Sequence, residues 1–450
     1  MLGFSLSCQR YLKIEGERAM DKKRILVVGS GGREHAILWK LRQSRRVGEL
    51  FSSQANAGIA QIAEDLKNPV ETAEDVARLV EQAKTLGIDI TIVGSDKPLE
   101  LGVVDAFQDA GLAILGPTRD AAQIEWDKVF AKYLMVRNNI PTAPFTVFTE
   151  LEPALRHVHE RRDLPFMVKA SRLARGQGAL KCKDESQAVF QLERILKTKS
   201  FGEDQAAIVE KCLTGSELSV TAITDGESFQ TWPYIRDYKK LLDGDKGGNC
   251  GSMGAWGPAS LGKGKFLIHR QVKRRVVEPV LRALRVRGRT FVGWLYPGIM
   301  VNLFGVKVLE FNARLGNPEA QVLMRRLRTD LLDIVEAILA RQLKKLKIEW
   351  HRKYAVCVVM ATEGYPQADE DEYPKASIEG LHEAAKVPTV VVFHGGTMEE
   401  NNVIYTAGGR PLSVTALGDT LVEARERVYD AVEWRISCPK LKYRLDIAQI

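Results

Sequence analysis

The chain has 450 residues, 45% of them apolar, with six scattered cysteines and a net charge of +8. That size supports a large core of two to four packed units, and no run reaches the roughly 18 consecutive apolar residues of a membrane span. Without a C-x-x-C pair there is no zinc or disulfide framework, so the expected home is a reducing cytoplasm.

Residues 1–19 carry an apolar patch followed by Arg10 and Lys13. A signal peptide has the opposite order, so this segment reads as an extension or a mis-assigned start, with Met20 the expected first residue. Residues 24–28 form a short apolar strand, 29–32 a glycine turn and 33–42 a helix. Further strands are expected over 88–93 and 113–115. This alternation predicts a doubly wound α/β parallel sheet, placed at 20–122. A helix over 119–138 and a proline-rich break at 140–144 follow. Short strands at 166–170, 179–183, 207–210 and 218–223 suggest a small α+β lid, about 145–213. The glycine-rich stretch 236–258 reads as a long loop, a kind that usually carries function. The basic run 263–289, with His269, Arg270, Lys273, Arg274 and Arg275, reads as an amphipathic helix with a solvated face. No nucleic-acid motif accompanies it, so no nucleic-acid partner is expected. Strands at 298–303 and 307–311 and a helix over 320–343 complete a second domain, 123–348. An α+β domain, 349–450, ends with a helix over 421–436.

Five segments carry polar groups in patterns that point to chemistry. Gly29-Ser30-Gly31-Gly32-Arg33-Glu34-His35 joins strand to helix, where backbone N–H groups meet a phosphate. A nicotinamide site needs Gly or Ala at the position of Glu34 and an acid after the second strand. That strand ends Phe51-Ser52-Ser53-Gln54, so a dehydrogenase is disfavoured. Lys169 opens a basic hairpin, 169–178, without Walker spacing; such a hairpin can close over a triphosphate. Glu210, Lys211 and Leu213 lie at a strand end suited to a flat base, and Glu217 to ribose hydroxyls. The strongest segment is 307–314. Strand alternation projects Glu310 and Asn312 together, with Leu309 and Phe311 packed behind. Two oxygen donors at that spacing suit Mg²⁺, and Arg314 offers a planar cation to a phosphoryl group. In the long loop, Asp237, followed by Lys239, is placed to hold an ammonium group.

Six stretches in order, RILVVGSGGREHAI, GPTRDAAQIEWDKVFAKYLM, IRDYKKLLDGDKGGNCGSMGAWGP, VLEFNARLGNPEAQ, AVCVVMATEGYP and GGRPLSVTALGDTLVEARERVYDAV, resemble the phosphoribosylamine–glycine ligase family of the ATP-grasp superfamily. The resemblance runs from about residue 24 to 447. It implies ATP and Mg²⁺ or Mn²⁺ as cofactors, and glycine and 5-phosphoribosylamine as substrates, with a monomer or dimer as the assembly. By this match Glu310 and Asn312 bind the metal, Lys128 and Lys169 touch ATP phosphates, and Glu210, Lys211 and Leu213 line the adenine. Glu217 meets the ribose. Asp237, Lys239 and Arg314 serve the reacting groups, while Gly31, Gly32, Asn56 and Gly58 approach the ribose phosphate.

The chain departs from the family pattern in places. KADGLAAGKGV reads KASRLARGQGA, placing Ser171, Arg172, Arg175 and Gln177 in the phosphate hairpin. GDPE reads GNPE with Asn317, GPEAPL reads GSDKPL, and NTGGMGA reads NCGSMGA. A weak or inactive nucleotide-binding relative, or a ligase for another acid or amine, is the alternative expectation.

Overall fold

The computed structural model describes residues 22–174, 178–260, 262–367 and 372–449; the expectations for 1–19, Arg175 and Gln177 lie outside them. The N-terminal strand Lys23–Val28 holds four fully buried residues, Ile25 to Val28, the continuous apolar run of a strand covered on both faces. It is the middle of a five-stranded parallel sheet in the order Glu64–Asp65, Val47–Ser52, Lys23–Val28, Ile90–Val93, Ile114–Leu115. The strand order reverses at Lys23–Val28, which puts a ligand-binding crevice beyond its carboxyl end.

Residues 145–211 form a separate antiparallel sheet, Phe145–Phe148, Ala207–Lys211, Phe166–Ala170 and Ala179–Cys182, covered by helices Leu151–Glu160 and Glu185–Leu196. Its core, including Val158, Phe166, Val168, Leu192 and Val209, is its own. By contrast, one continuous core joins the N-terminal sheet to Leu218–Ala313, and a second joins it to 315–343 and to Cys357 and Phe393.

The long strand Gly293–Asn302 pairs with Ser216–Ser219, Ala222–Thr224 and Gly305–Asn312. The last sheet contains Arg236–Asp237, Gly254–Gly257, Tyr354–Thr362, Leu412–Gly418 and Val391–His394, with helix Leu421–Trp434 packed on it.

Several expected elements are divided in the fold. The helix expected over 119–138 breaks at Asp127, whose side chain accepts from the N–H of Phe130 at 3.0 Å and starts a new helix, Lys128–Arg137. Asp330 divides 320–343 in the same way, into Glu319–Arg326 and Leu331–Leu339. The strand expected over 218–223 is two strands, Ser216–Ser219 and Ala222–Thr224. The expected loop 236–258 holds four short strands. Two of them, Arg236–Asp237 and Gly254–Gly257, join the C-terminal sheet. The basic run is helical from Lys265 to Val286 with a π-helical segment, Val272–Val277, that buries Val272, Val276 and Val277.

Candidate functional site

Glu310 and Asn312 lie on the strand Gly305–Asn312, and their neighbours across it are Gly298 and Tyr296. The register shifts between Gly298 and Ile299, leaving Leu309 as the extra residue of a bulge. Above the bulge Val306 and Val308 are buried; below it Phe311 is. The bulge therefore switches the phase of the strand, and Glu310 and Asn312 face the cleft together. Leu309 is only half-buried, so the expectation that it packs behind with Phe311 is corrected; Val308 takes that place. Bulges recur beside functional sites for this reason. A Cβ at Gly298 would make ordinary contact with Glu310 Cγ at 3.5 Å and Lys239 Nζ at 3.9 Å, so Gly298 lies directly beside both charged side chains.

Cations surround Glu310. Lys239 Nζ is 3.6 Å away, and Lys128, Lys169 and Arg314 add their fields. Burial opposes ionisation, yet these four charges hold the carboxyl down at about 2. The side chain nevertheless keeps 38% of its surface accessible. The Asn312 amide nitrogen donates to the Tyr296 carbonyl at 3.4 Å, which orients its oxygen as the free acceptor.

Lys128 opens its helix and donates to the Arg172 carbonyl at 3.0 Å. Burial lowers its pKa. Lys169 pairs with Glu210 and donates to the Leu309 carbonyl at 3.4 Å. Burial opposes its charge, but Glu210 and Glu310 outweigh it and the pKa is raised. Glu210 itself is buried between Lys169 and Lys132. Its carboxylate is thus consumed by lysines, leaving backbone and neighbours to line a base; Lys211 is exposed and Leu213 half-buried. Glu217 pairs with Lys239. The side chain of Arg172 stacks on Trp126, 5.0 Å from ring centroid to guanidinium, and so lies against the domain wall.

Arg314 bonds Glu125 at 2.8 Å, and Glu125 also accepts the N–H of Ala313 at 2.7 Å. Burial raises the Glu125 pKa, and the buried Arg314 guanidinium is held charged by Glu125 and Asp96. The Asp237 side chain is fully buried. Its Oδ1 accepts from Ser219 at 2.8 Å and its Oδ2 from Ser252 at 2.9 Å, with Lys239 at 3.9 Å. Two hydroxyls thus orient the Asp237 carboxylate, the acid expected to hold an ammonium group, and each oxygen keeps a further lone pair. Behind it, the Tyr296 hydroxyl lies 2.5 Å from a Glu319 oxygen and 2.7 Å from Ser219 Oγ, with a single proton to donate to one of them.

Gly31, Gly32, Asn56 and Gly58 gather at the crevice beyond Lys23–Val28, and the N–H groups of Gly31 and Gly58 and the Asn56 amide are engaged. The Gly31 N–H donates to Glu34 at 2.8 Å, and Arg33 bonds the other Glu34 oxygen at 2.7 Å. Asn56 donates to the carbonyls of Ser30 and His394 at 2.7 and 2.8 Å and accepts from Gly58 and Ile59. His394 N–H donates to His35 Nδ1 at 2.9 Å. The turn expected to offer Gly31 N–H to a phosphate has filled that donor with its own carboxylate.

Sequence reasoning missed Glu125, Lys132, Ser219, Tyr296, Glu319 and Arg410. Lys132 had a local signal, because it lies four residues beyond Lys128 on one helix face. Glu125 had another, an acid on the apolar face of its helix. The others come together only through long-range packing.

Three family models of phosphoribosylglycinamide synthetase match the chain: the N domain over 23–125, the ATP-grasp (A) domain over 126–320 and the C domain over 355–450. The phosphoribosylamine–glycine ligase of Caldanaerobacter subterraneus subsp. tengcongensis is 43% identical over 94% of this chain and 99% of its own. That of Rhodopirellula baltica is 40% identical over 92% and 94%. The crystal structure of phosphoribosylamine–glycine ligase from Thermotoga maritima superposes with a TM-score of 0.79 at 28% identity, covering 94% of this chain and 100% of that one. The biotin carboxylase domain of Hydrogenobacter thermophilus 2-oxoglutarate carboxylase, a complex with MgADP, shares the fold at 17% identity, with a TM-score of 0.69 over 94% and 91% of the two chains. With sequence matches of this level across nearly its full length, the chain belongs to the phosphoribosylamine–glycine ligase family of ADP-forming carbon–nitrogen ligases.

Proposed function

We propose that this chain joins glycine to 5-phosphoribosylamine with ATP as phosphoryl donor, giving glycinamide ribonucleotide, ADP and phosphate. The observation that carries the reading is the set of four cations, Lys128, Lys169, Lys239 and Arg314, converging on the open carboxylate of Glu310. That arrangement suits a polyphosphate together with a divalent ion. Glu310 and Asn312 supply two hard oxygen donors, and no larger cluster of metal-binding side chains occurs among the described residues. Mg²⁺ or Mn²⁺ fits such a pair, because it takes its remaining oxygens from phosphates and water. When bound, the ion supplies charge neutralisation for phosphoryl transfer.

In this reading the glycine carboxylate attacks the γ-phosphorus, the bond to the β-bridging oxygen breaks, and ADP departs. Lys128 and Lys169 hold the triphosphate, and Arg314, itself fixed by Glu125, faces the transferring group. The amine of phosphoribosylamine then attacks the acyl carbon of glycyl phosphate, forming the amide, losing a proton and expelling phosphate. No protein nucleophile is needed. The sheet 145–211, with its separate core, serves as the lid that excludes water from the acyl phosphate. Phosphoribosylamine enters where the Gly29–Gly32 turn, Asn56 and the strand end at His394 meet. Glu34 fills the N–H of Gly31, so other donors there must take the phosphate. We place this reaction of small phosphorylated metabolites in the cytoplasm, with a monomer or a dimer as the assembly. No helix of the described residues is long and apolar enough to cross a membrane.

ADP release measured with ATP, glycine and freshly made phosphoribosylamine tests this reading. ADP should require both co-substrates and vanish in Glu310→Ala while circular dichroism stays unchanged. Full turnover in that variant would overturn the site assignment.

A further inference from the structure

Ser252 stands in a backbone conformation that glycine normally takes, with φ at 76°. A non-glycine residue in this region is uncommon and costs local strain, and it persists only where surroundings over-determine it. Here they do. The side chain is buried, and its Oγ donates to Asp237 Oδ2 at 2.9 Å. On the other side of the peptide, the Arg410 guanidinium reaches the carbonyls of Gly251, Ser252 at 3.5 Å and Asn317 at 3.0 Å. Arg410 thus ties the turn carrying Ser252 to the turn that follows Arg314. Room for this exists because residue 251 is glycine: a Cβ there would lie 2.9 Å from the guanidinium and from the Tyr365 hydroxyl.

Asp237 is held by two serine hydroxyls, one per oxygen, from unrelated segments. Ser219 comes from the strand beside Gly293–Asn302, and Ser252 from the turn clamped by the C-terminal domain. Lys239, 3.9 Å from Asp237 and 3.6 Å from Glu310, links this acid to the phosphoryl-transfer cluster. An acid whose oxygens are fixed from both sides presents its remaining lone pairs in one direction. The family pattern has glycine at this position, so the serine is a departure that adds a hydroxyl to this acid at the cost of backbone strain.

We propose that Ser252, held in place by Arg410, is a positioning residue for the amino-acid substrate: its hydroxyl orients Asp237, and the strain of its left-handed backbone is offset by that bond. The proposal rests on the ligase reading above. A purely structural role would move stability and every kinetic constant together, whereas a positioning role acts on one substrate.

The test is steady-state kinetics of the full chain with glycine and ATP varied separately, on wild type, Ser252→Ala, Ser252→Gly and Ser219→Ala, and on the Ser219→Ala/Ser252→Ala double variant. In Ser252→Ala the KM for glycine should rise about tenfold, the scale of one hydrogen bond to a charged group, with the KM for ATP within about twofold. Ser252→Gly should show the same loss for glycine with a melting temperature at or above wild type, because the strain is gone. The double variant should lose more than the product of the single losses, since Asp237 then has neither hydroxyl. An unchanged KM for glycine in both Ser252 variants, or equal rises for glycine and ATP, overturns the positioning role alone. A wild-type chain that shows no glycine-dependent ADP formation overturns the ligase reading and the positioning role with it.

Discussion

Two strand ends in this molecule carry similar polar residues and behave differently. At Gly29–His35 the acid, the arginine and the histidine satisfy one another or bond across a domain joint. Glu34 takes the N–H of Gly31 and the Arg33 guanidinium, and His35 accepts from His394. At Glu310–Arg314 the cations have partners too, Arg314 with Glu125, Lys169 with Glu210 and Lys239 with Glu217, yet Glu310 at their centre remains accessible. A strand end whose polar groups are internally paired serves as a joint. One whose charges converge without closing the gap is prepared for a charged ligand.

Substitutions should separate the two regions, with effects of decreasing size. Glu310→Ala should reduce turnover by at least about 10²–10³-fold, the scale seen when one transition-state electrostatic partner is removed, without changing the urea midpoint by much. Equal losses of activity and stability would make the cleft a joint as well. Arg314→Met leaves Glu125 buried and unpaired; it should cost about 3–5 kcal/mol in urea unfolding besides activity. Arg314→Lys should recover part of the stability and less of the activity, because a point charge cannot replace the planar fork.

The joint should reveal itself through pH. Burial first, then the neighbouring His394, holds His35 at about 3, and burial holds His394 at about 4. The unfolded chain binds those protons at about 6.5. Below that value protonation draws the equilibrium progressively toward the unfolded state, so this contribution to stability is complete above pH 6.5 and is lost as pH falls toward 4. Replacing His35 with Gln should flatten the fall by up to about 1.4 kcal/mol per pH unit. Urea midpoints between pH 7 and 4.5 would show it, and an identical slope in the variant would remove His35 from the account. The smallest effect is expected at the half-exposed pair Lys375–Glu400: Lys375→Ala should shift stability by less than about 0.5 kcal/mol.

Much of this was legible in the sequence for reasons of local chemistry. The buried strand 24–28 with its glycine turn, the lid strands and the pair Glu310 and Asn312 follow from apolar runs and from residue types with few other uses. Other features escaped. Asp127 and Asp330 divide what periodicity reads as single helices, because a capping carboxylate interrupts a helix without disturbing its apolar pattern. The long loop became strands of the C-terminal sheet because its partner, Tyr354–Thr362, lies a hundred residues away. Leu309 and Phe311 appeared to share a face until the bulge moved one of them.

By itself the sequence determined the kinds of groups available: hard oxygen donors at 310 and 312, lysines at 128, 169 and 239, glycines where backbone must come close, and apolar periods that choose strand or helix. These are properties of residues and their near neighbours, and they survive without a fold. Tertiary structure alone decided which charges meet. Glu210 was given to two lysines, Arg314 to Glu125, Asp237 to two serines and Arg410 to three carbonyls, because burial forces each polar group to find a partner wherever packing brings one within reach.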